Sequence, residues 1–150
     1  MLLKPEAVRA LSGVSSKKRL MNELGTLAEA AYEVPQADAI DALLERESLG
    51  PTGVGNGVAL PHARMEGLDR VVGALAVLDK PIAFDAVDRQ PVDLVFALFA
   101  PVESGVEHLK ALALVSRTLR EPSFCAKLRA NHDSATLYTI VTEAQAAQAA

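Results

Sequence analysis

The chain has 150 residues, with 15 Lys and Arg against 19 Asp and Glu, a net charge of -4 and a pI near 5.4. With 50% hydrophobic and 23% charged residues it has the composition of one folded domain, not of a disordered segment. An acidic chain with 4% aromatic residues and no Trp lacks the basic, base-stacking surface of general nucleic-acid binders, so nucleic acid is excluded as the expected ligand.

Along the chain, Met1–Ala10 carries Lys4, Glu6 and Arg9 where a signal peptide would need an unbroken apolar core. The apolar runs Val71–Leu78 and Val92–Ala100 are too short to span a bilayer, which predicts no membrane insertion and a cytoplasmic location. The single cysteine, Cys125, forms no internal disulfide framework, suits a reducing compartment and reads as a small buried hydrophobe. Ser15 and Ser16 precede a first helix whose apolar positions, Leu20, Met21, Leu24, Leu27, Ala28 and Ala31, recur at three and four residues; Gly25 within it is tolerated at a small cost. Pro35 opens a second helix with Ile40, Leu43 and Leu44 on one face, and Gly50-Pro51 closes it, which puts Arg46 in its last turn.

Val71–Leu78 and Val92–Phe99 are β-rich apolar runs, as expected for central strands buried on both faces. After Pro101 a helix carries His108, Leu112, Val115 and Leu119 on one side and Leu109 on its flank; Glu121-Pro122 starts another, and Asp133 or Ser134 caps a last one through Leu137, Ile140 and Val141. The Ala/Gln-rich tail from Ala144 is expected to fray. Helices on either side of a strand-rich middle predict an α/β domain, a sheet covered by helices.

The most unusual segment is Pro51-Thr-Gly-Val-Gly-Asn-Gly-Val-Ala-Leu-Pro-His62. Its glycines suggest a phosphate loop, but it lacks the Lys-Ser/Thr of a P-loop and runs into extended Val58–Leu60 where a dinucleotide site needs a helix. No nucleotide cofactor is expected. Gly53, Gly55, Asn56 and Gly57 instead mark a chain with little side-chain cover, a surface that another molecule can approach closely. Pro61 extends Leu60 and fixes its own φ, so His62 leaves a short strand in a restrained direction. Histidine, with an ordinary pKa of about 6.5, offers a ring nitrogen as a nucleophile near neutral pH. Taken alone, His62 still reads as a turn residue and His108, on an apolar face, as a core or rim residue. His132 reads as surface, and Asp85, Asp88 and Asp93 as turn and strand-edge residues. The three histidines have no metal-ligand spacing, so no metal site is expected.

Four separated segments change that reading: Leu43-Leu-Glu-Arg-Glu47, Thr52–His62, Pro81–Asp88 with Gln90–Leu94, and Glu107-His-Leu109. Together they resemble the fructose/mannitol-type enzyme IIA domain of the bacterial phosphotransferase system, most of all its nitrogen-regulatory branch, and the similarity runs in order from about Leu3 to Val141. The resemblance implies a mixed β-sheet with helices on both faces, residues 1–143 as one phosphoacceptor domain and residues 144–150 as its tail. It implies that His62 is the phosphoacceptor, through its tele nitrogen, that His108 is the second active-site histidine, hydrogen-bonding the phosphoryl group or His62, and that Arg46 stabilises phosphoryl charge. Ala63 stands where relatives commonly have Gly.

The function so implied is that of a phosphoryl-accepting regulator. A nitrogen-type histidine phosphocarrier is the expected donor, and potassium transporters or sensor kinases are the expected kind of regulated target. The alternatives are a sugar-specific enzyme IIA that passes phosphate to a permease B domain, and a binding module in which His62 is idle. No B domain, carrier domain or span is fused within these residues, which favours the regulatory branch. A monomer or weak dimer is expected.

Overall fold

The computed structural model describes residues 2–149, with side chains to residue 147. Its elements are β1 (Leu3–Leu11), α1 (Lys17–Tyr32), α2 (Gln36–Ser48), β2 (Gly53–Gly55), β3 (Val58–Ala59), β4 (His62–Met65), β5 (Val72–Ile82), β6 (Val92–Pro101), α3 (Val106–Thr118), α4 (Pro122–Arg129) and α5 (Ser134–Ala149). The six strands form one mixed sheet ordered β1-β5-β6-β3-β2, with β4 also on β6.

The two central strands are those expected from their apolar runs. From Val72 to Leu78 and from Leu94 to Ala100 every residue is buried, whichever way its side chain points, so both faces of the sheet are covered. They pair antiparallel, Leu75 opposite Phe96 and Val77 opposite Leu94. On one face Phe96 lies beside Val115 of α3, Leu119 just past the end of α3, Phe124 of α4 and Val141 of α5. α1 packs on β1 and β5, and α2 on α1 and β4. The mixed sheet with helices over it agrees with the expected fold class.

The helix starts follow their local chemistry. The Ser16 hydroxyl accepts the Arg19 N–H at 3.1 Å and caps α1, and Asp133 Oδ2 accepts the Thr136 N–H at 2.9 Å at the start of α5. Pro122 occupies the first turn of α4, where its missing N–H costs nothing. Cys125 is buried, as expected, its Sγ 3.1 Å from the Leu119 carbonyl.

Three sequence expectations are corrected or extended. β1 was not foreseen; it lies parallel to β5, with Tyr32 accepting the Lys4 N–H at 3.0 Å and donating to the Gly73 carbonyl at 2.6 Å where the two strands meet α1. α5 runs through the start of the Ala/Gln-rich tail at Ala144 and continues to Ala149, in keeping with Ala and Gln as good helix formers, and Gln145 lies beside Val115 and Leu119. Gly25 is more than tolerated: a Cβ there would lie 2.5 Å from Ile40 Cγ1 and 3.2 Å from the Gln36 carbonyl, so the missing side chain lets α1 and α2 approach closely.

Candidate functional site

β6 is paired along one edge by two short strands in succession. β3 pairs Val58 with Leu94 and Ala59 with Val95, and β4 pairs His62 with Leu98 through Met65 with Pro101. Between them lies Leu60-Pro61. Pro61 has no N–H to give to β6, so the pairing along β6 is interrupted immediately before His62, while the Leu60 N–H bonds the Thr52 carbonyl at 2.9 Å on the β2 side. The interruption leaves the Leu60 carbonyl free to meet the His62 ring.

His62 Nδ1 lies 2.9 Å from that carbonyl oxygen. A carbonyl only accepts, so Nδ1 carries the proton and Nε2 presents a lone pair. Nε2 faces Arg46, whose Nε donates to it at 3.3 Å. Arg46 sits in the last turn of α2, as expected, and its Nη1 also donates to the Gly50 carbonyl at 2.9 Å beyond the helix end. The guanidinium is thus held at the helix C-terminus, where cations are favoured.

His108 stands in the first turn of α3, and its ring meets that of His62 edge-on, centroids 5.5 Å apart and planes at 81°. It is 5% exposed, and its Nε2 is the one buried side-chain nitrogen or oxygen among the described residues with no hydrogen-bond partner. Burial pushes the His108 pKa below the usual histidine value, and the neighbouring His62 and the Arg64 guanidinium push the same way. An unsatisfied nitrogen of this kind is costly in a folded core and calls for an explanation.

Arg46, His62 and His108 line one open cleft of about 520 Å³ together with Glu45, Leu49, Arg64 and Leu109. Leu49 and Leu109, 80% and 65% exposed, give the cleft an apolar rim. Size does not single out this cleft: another of about 590 Å³ is lined by Asp69, Arg70, Glu103 and Lys110, but no unpartnered buried group faces it. Arg64 escaped the sequence reading. It shares a strand face with His62 two residues on, and its Nη1 donates to the Val102 carbonyl at 3.3 Å. The two-residue period of a strand starting at His62 is the signal that would have found it.

The glycines take a different place from the one expected. Asn56 and Gly57, with φ of 58° and 78°, form the two-residue tip of the β2–β3 hairpin, a left-handed turn that the Asn-Gly pair favours. Gly53 and Gly55 are buried, and a Cβ at Gly53 would lie 2.7 Å from that of Ala86. A Cβ at Gly57 would lie 2.5 Å from Arg129 Nη2, and one at Gly55 would lie 3.4 Å from Asp88 Oδ2. The room left by the absent side chains is therefore filled by this chain itself. Asn56 is exposed, but its backbone is held at both ends, its N–H by Asp88 at 3.0 Å and its carbonyl by Arg129 at 2.8 Å. None of these four residues lines the His62 cleft. His132 is exposed, as expected.

Residues 1–144 match the family described as the phosphoenolpyruvate-dependent sugar phosphotransferase system, EIIA 2. A nitrogen regulatory protein of Bradyrhizobium diazoefficiens is 43% identical over 140 residues, 93% of this chain and 92% of its own length. The crystal structure of the nitrogen regulatory protein IIA-Ntr from Neisseria meningitidis superposes with a TM-score of 0.84 at 35% identity, covering 93% of this chain and 95% of that one. The IIA mannitol structure from Escherichia coli, at 19% identity and a TM-score of 0.76 over 93% of this chain and 99% of that one, shares the fold. Among the described residues no helix is long and apolar enough to cross a membrane. Matched by the family over nearly its whole length and by two of these relatives at 43% and 35% identity, the chain belongs to the EIIA 2 family of the phosphoenolpyruvate-dependent sugar phosphotransferase system.

Proposed function

We propose that this protein accepts a phosphoryl group on His62 Nε2 from a histidine phosphocarrier of the nitrogen-type relay, and that its phosphorylation state governs which proteins it binds. The observation that carries the reading is the 2.9 Å contact of His62 Nδ1 with the Leu60 carbonyl, which leaves the lone pair on the nitrogen that faces Arg46.

In the transfer, the Nε2 lone pair forms a new N–P bond while the N–P bond of the donor's phosphohistidine breaks and its electron pair returns to the donor ring. The Nδ1 proton stays in place, held by the Leu60 carbonyl. Such a transition state is loose, with charge spread over the phosphoryl oxygens, and asks mainly for positioning and charge stabilisation. Arg46 supplies both: its long 3.3 Å bond to Nε2 yields as the phosphorus approaches, and its fork of N–H groups turns to the phosphoryl oxygens. A proton on the unpartnered His108 Nε2, beside the His62 ring, finds its acceptor in the same oxygens.

The transfer adds one net negative charge, a doubly charged phosphoryl group on a ring that keeps its Nδ1 proton and becomes cationic, inside a cleft rimmed by Leu49 and Leu109, and so alters directly what this surface can bind. The regulatory branch is supported by the 43% identity to a protein named as a nitrogen regulator.

Incubation with phosphoenolpyruvate, the first enzyme of the relay and its nitrogen-type phosphocarrier tests the reading by intact mass. One acid-labile phosphoryl group is expected on the wild type and none on His62→Ala, with Arg46→Ala labelled slowly. No phosphate on the wild type, with the relay active on a control acceptor, overturns it. Transfer onward to a permease B domain would instead support the sugar-specific branch.

A further inference from the structure

One buried carboxylate holds both halves of this site. Glu47 follows Arg46 on α2, and its side chain is 5% exposed. Its Oε1 accepts the Thr52 hydroxyl at 2.6 Å, and its Oε2 accepts the Thr52 N–H at 3.0 Å and the Lys17 ammonium at 2.9 Å. Lys17 is itself steadied, its ammonium 4.5 Å from the Phe84 ring centre and 3.9 Å from Asp85. Removing a carboxylate from water is expensive, and three donors, one of them charged, are what offsets that cost here.

The bonds continue beyond Thr52. Its carbonyl accepts the Leu60 N–H at 2.9 Å, and the Leu60 carbonyl is the group that holds His62 Nδ1. An unbroken series of short hydrogen bonds therefore runs from Glu47 through Thr52 and Leu60 to the imidazole. On its other side Glu47 is the covalent neighbour of Arg46, and its own carbonyl accepts the Gly50 N–H at 3.2 Å, next to the Gly50 carbonyl that Arg46 grips. The stretch that carries Arg46 and the stretch that aims His62 are joined at this one side chain.

We propose that Glu47 is a positioning residue for phosphoryl transfer: through Thr52 and Leu60 it fixes the tautomer and direction of the His62 ring, and through the last turn of α2 it sets Arg46 against Nε2. The proposal rests on the reading of His62 as phosphoryl acceptor and adds a residue that touches neither the donor nor the transferred group. The isosteric Glu47→Gln cannot accept from all three donors, and Thr52→Val removes the hydroxyl link without changing side-chain size.

The test uses the whole protein with isotope-labelled histidine, reading the His62 ring nitrogens by NMR alongside transfer kinetics from the phosphocarrier. The wild-type ring is expected to show protonated Nδ1 and bare Nε2. In Glu47→Gln and in Thr52→Val the two nitrogens are expected to move toward averaged shifts, and the maximal transfer rate to fall roughly tenfold or more, because small misplacements in a transfer geometry are magnified in rate. The donor concentration for half-maximal rate is expected to stay unchanged, since the docking surface is untouched, and Thr52→Ser is expected to restore both signals. Wild-type ring shifts and rate in the folded variants overturn the proposal, and Thr52→Val decides alone if Glu47→Gln does not fold. A wild type that takes no phosphate refutes the acceptor reading instead, while the ring shifts still decide whether Glu47 governs the tautomer.

Discussion

His108 is held in a state that is costly for stability. Its ring is buried with one nitrogen unpartnered, and burial, His62 and Arg64 all disfavour its protonated form. The unfolded chain titrates this ring at about 6.5, the folded protein lower. Between the two values the unfolded state binds a proton that the native state refuses, so stability falls as pH drops below about 6.5 and stops falling, on this account, below the folded pKa. Above about 6.5 both states carry the ring neutral and the contribution is complete. Urea unfolding from about pH 7 to about pH 5 is therefore expected to show a steeper loss of stability in the wild type than in His108→Gln, which lacks the titrating group. Parallel pH profiles for the two proteins would show that His108 is not excluded from protonation.

At the level of elements, the β2–β3 hairpin is fixed from outside. Arg129 of α4 reaches across to Asp93 of β6 with Nε 3.0 Å from each carboxylate oxygen, while its Nη2 donates to the Asn56 carbonyl. Asp88 accepts the Asn56 N–H on the other side, and that bond, with the one from the Gln90 N–H, keeps its carboxyl below the ordinary carboxylate range. Gly57→Ala strains this arrangement twice. It places a Cβ on a backbone of φ 78° and drives it to 2.5 Å from Arg129 Nη2. A loss of about 1–3 kcal/mol is expected by chemical denaturation, together with faster amide exchange at Asn56, whose bond to Asp88 depends on the same turn. Wild-type stability and exchange would mean that the tip tolerates a side chain and that Arg129 moves aside freely.

Across the whole molecule, Arg46 reaches His62 only because α2 lies where α1 allows it to lie. The close approach at Gly25 sets that position, since Ile40 and the Gln36 carbonyl stand where a side chain would be. Gly25→Leu gains about 0.8–1.0 kcal/mol of helix propensity at most, yet a net loss of about 1–3 kcal/mol is expected from overpacking. Phosphoryl transfer to His62 is expected to slow in the folded fraction as α2 is pushed away. A variant as stable and as fast as the wild type would show that the helix crossing does not position the site.

The helices and the two central strands were legible in the sequence because their causes are local. A strand buried on both faces must be apolar throughout, as Val72–Leu78 and Leu94–Ala100 are, and Ser16, Gly50-Pro51 and Pro122 mark helix ends by their own backbone chemistry. The Asn-Gly pair carried an equally local hairpin signal that went unread. β1 was illegible for a physical reason: its pairing with β5 shifts register between Leu3 and Val8, so exposed and buried residues do not alternate and no two-residue period survives. The site divides along the same line. That Pro61 interrupts a strand and restrains His62 follows from the residue before and the residue itself. The resemblance singled out Arg46 and His108, 16 residues before and 46 after His62, but spacing along the chain says nothing of their distance. Bringing all three into one cleft took the packing of α2 beside β4 and of α3 over β6. The glycines depended on tertiary structure in the opposite sense. By itself the sequence determined that they lack side chains, and only the folded chain decided that Ala86, Asp88 and Arg129 fill the space, because what occupies a gap is set by residues distant in sequence.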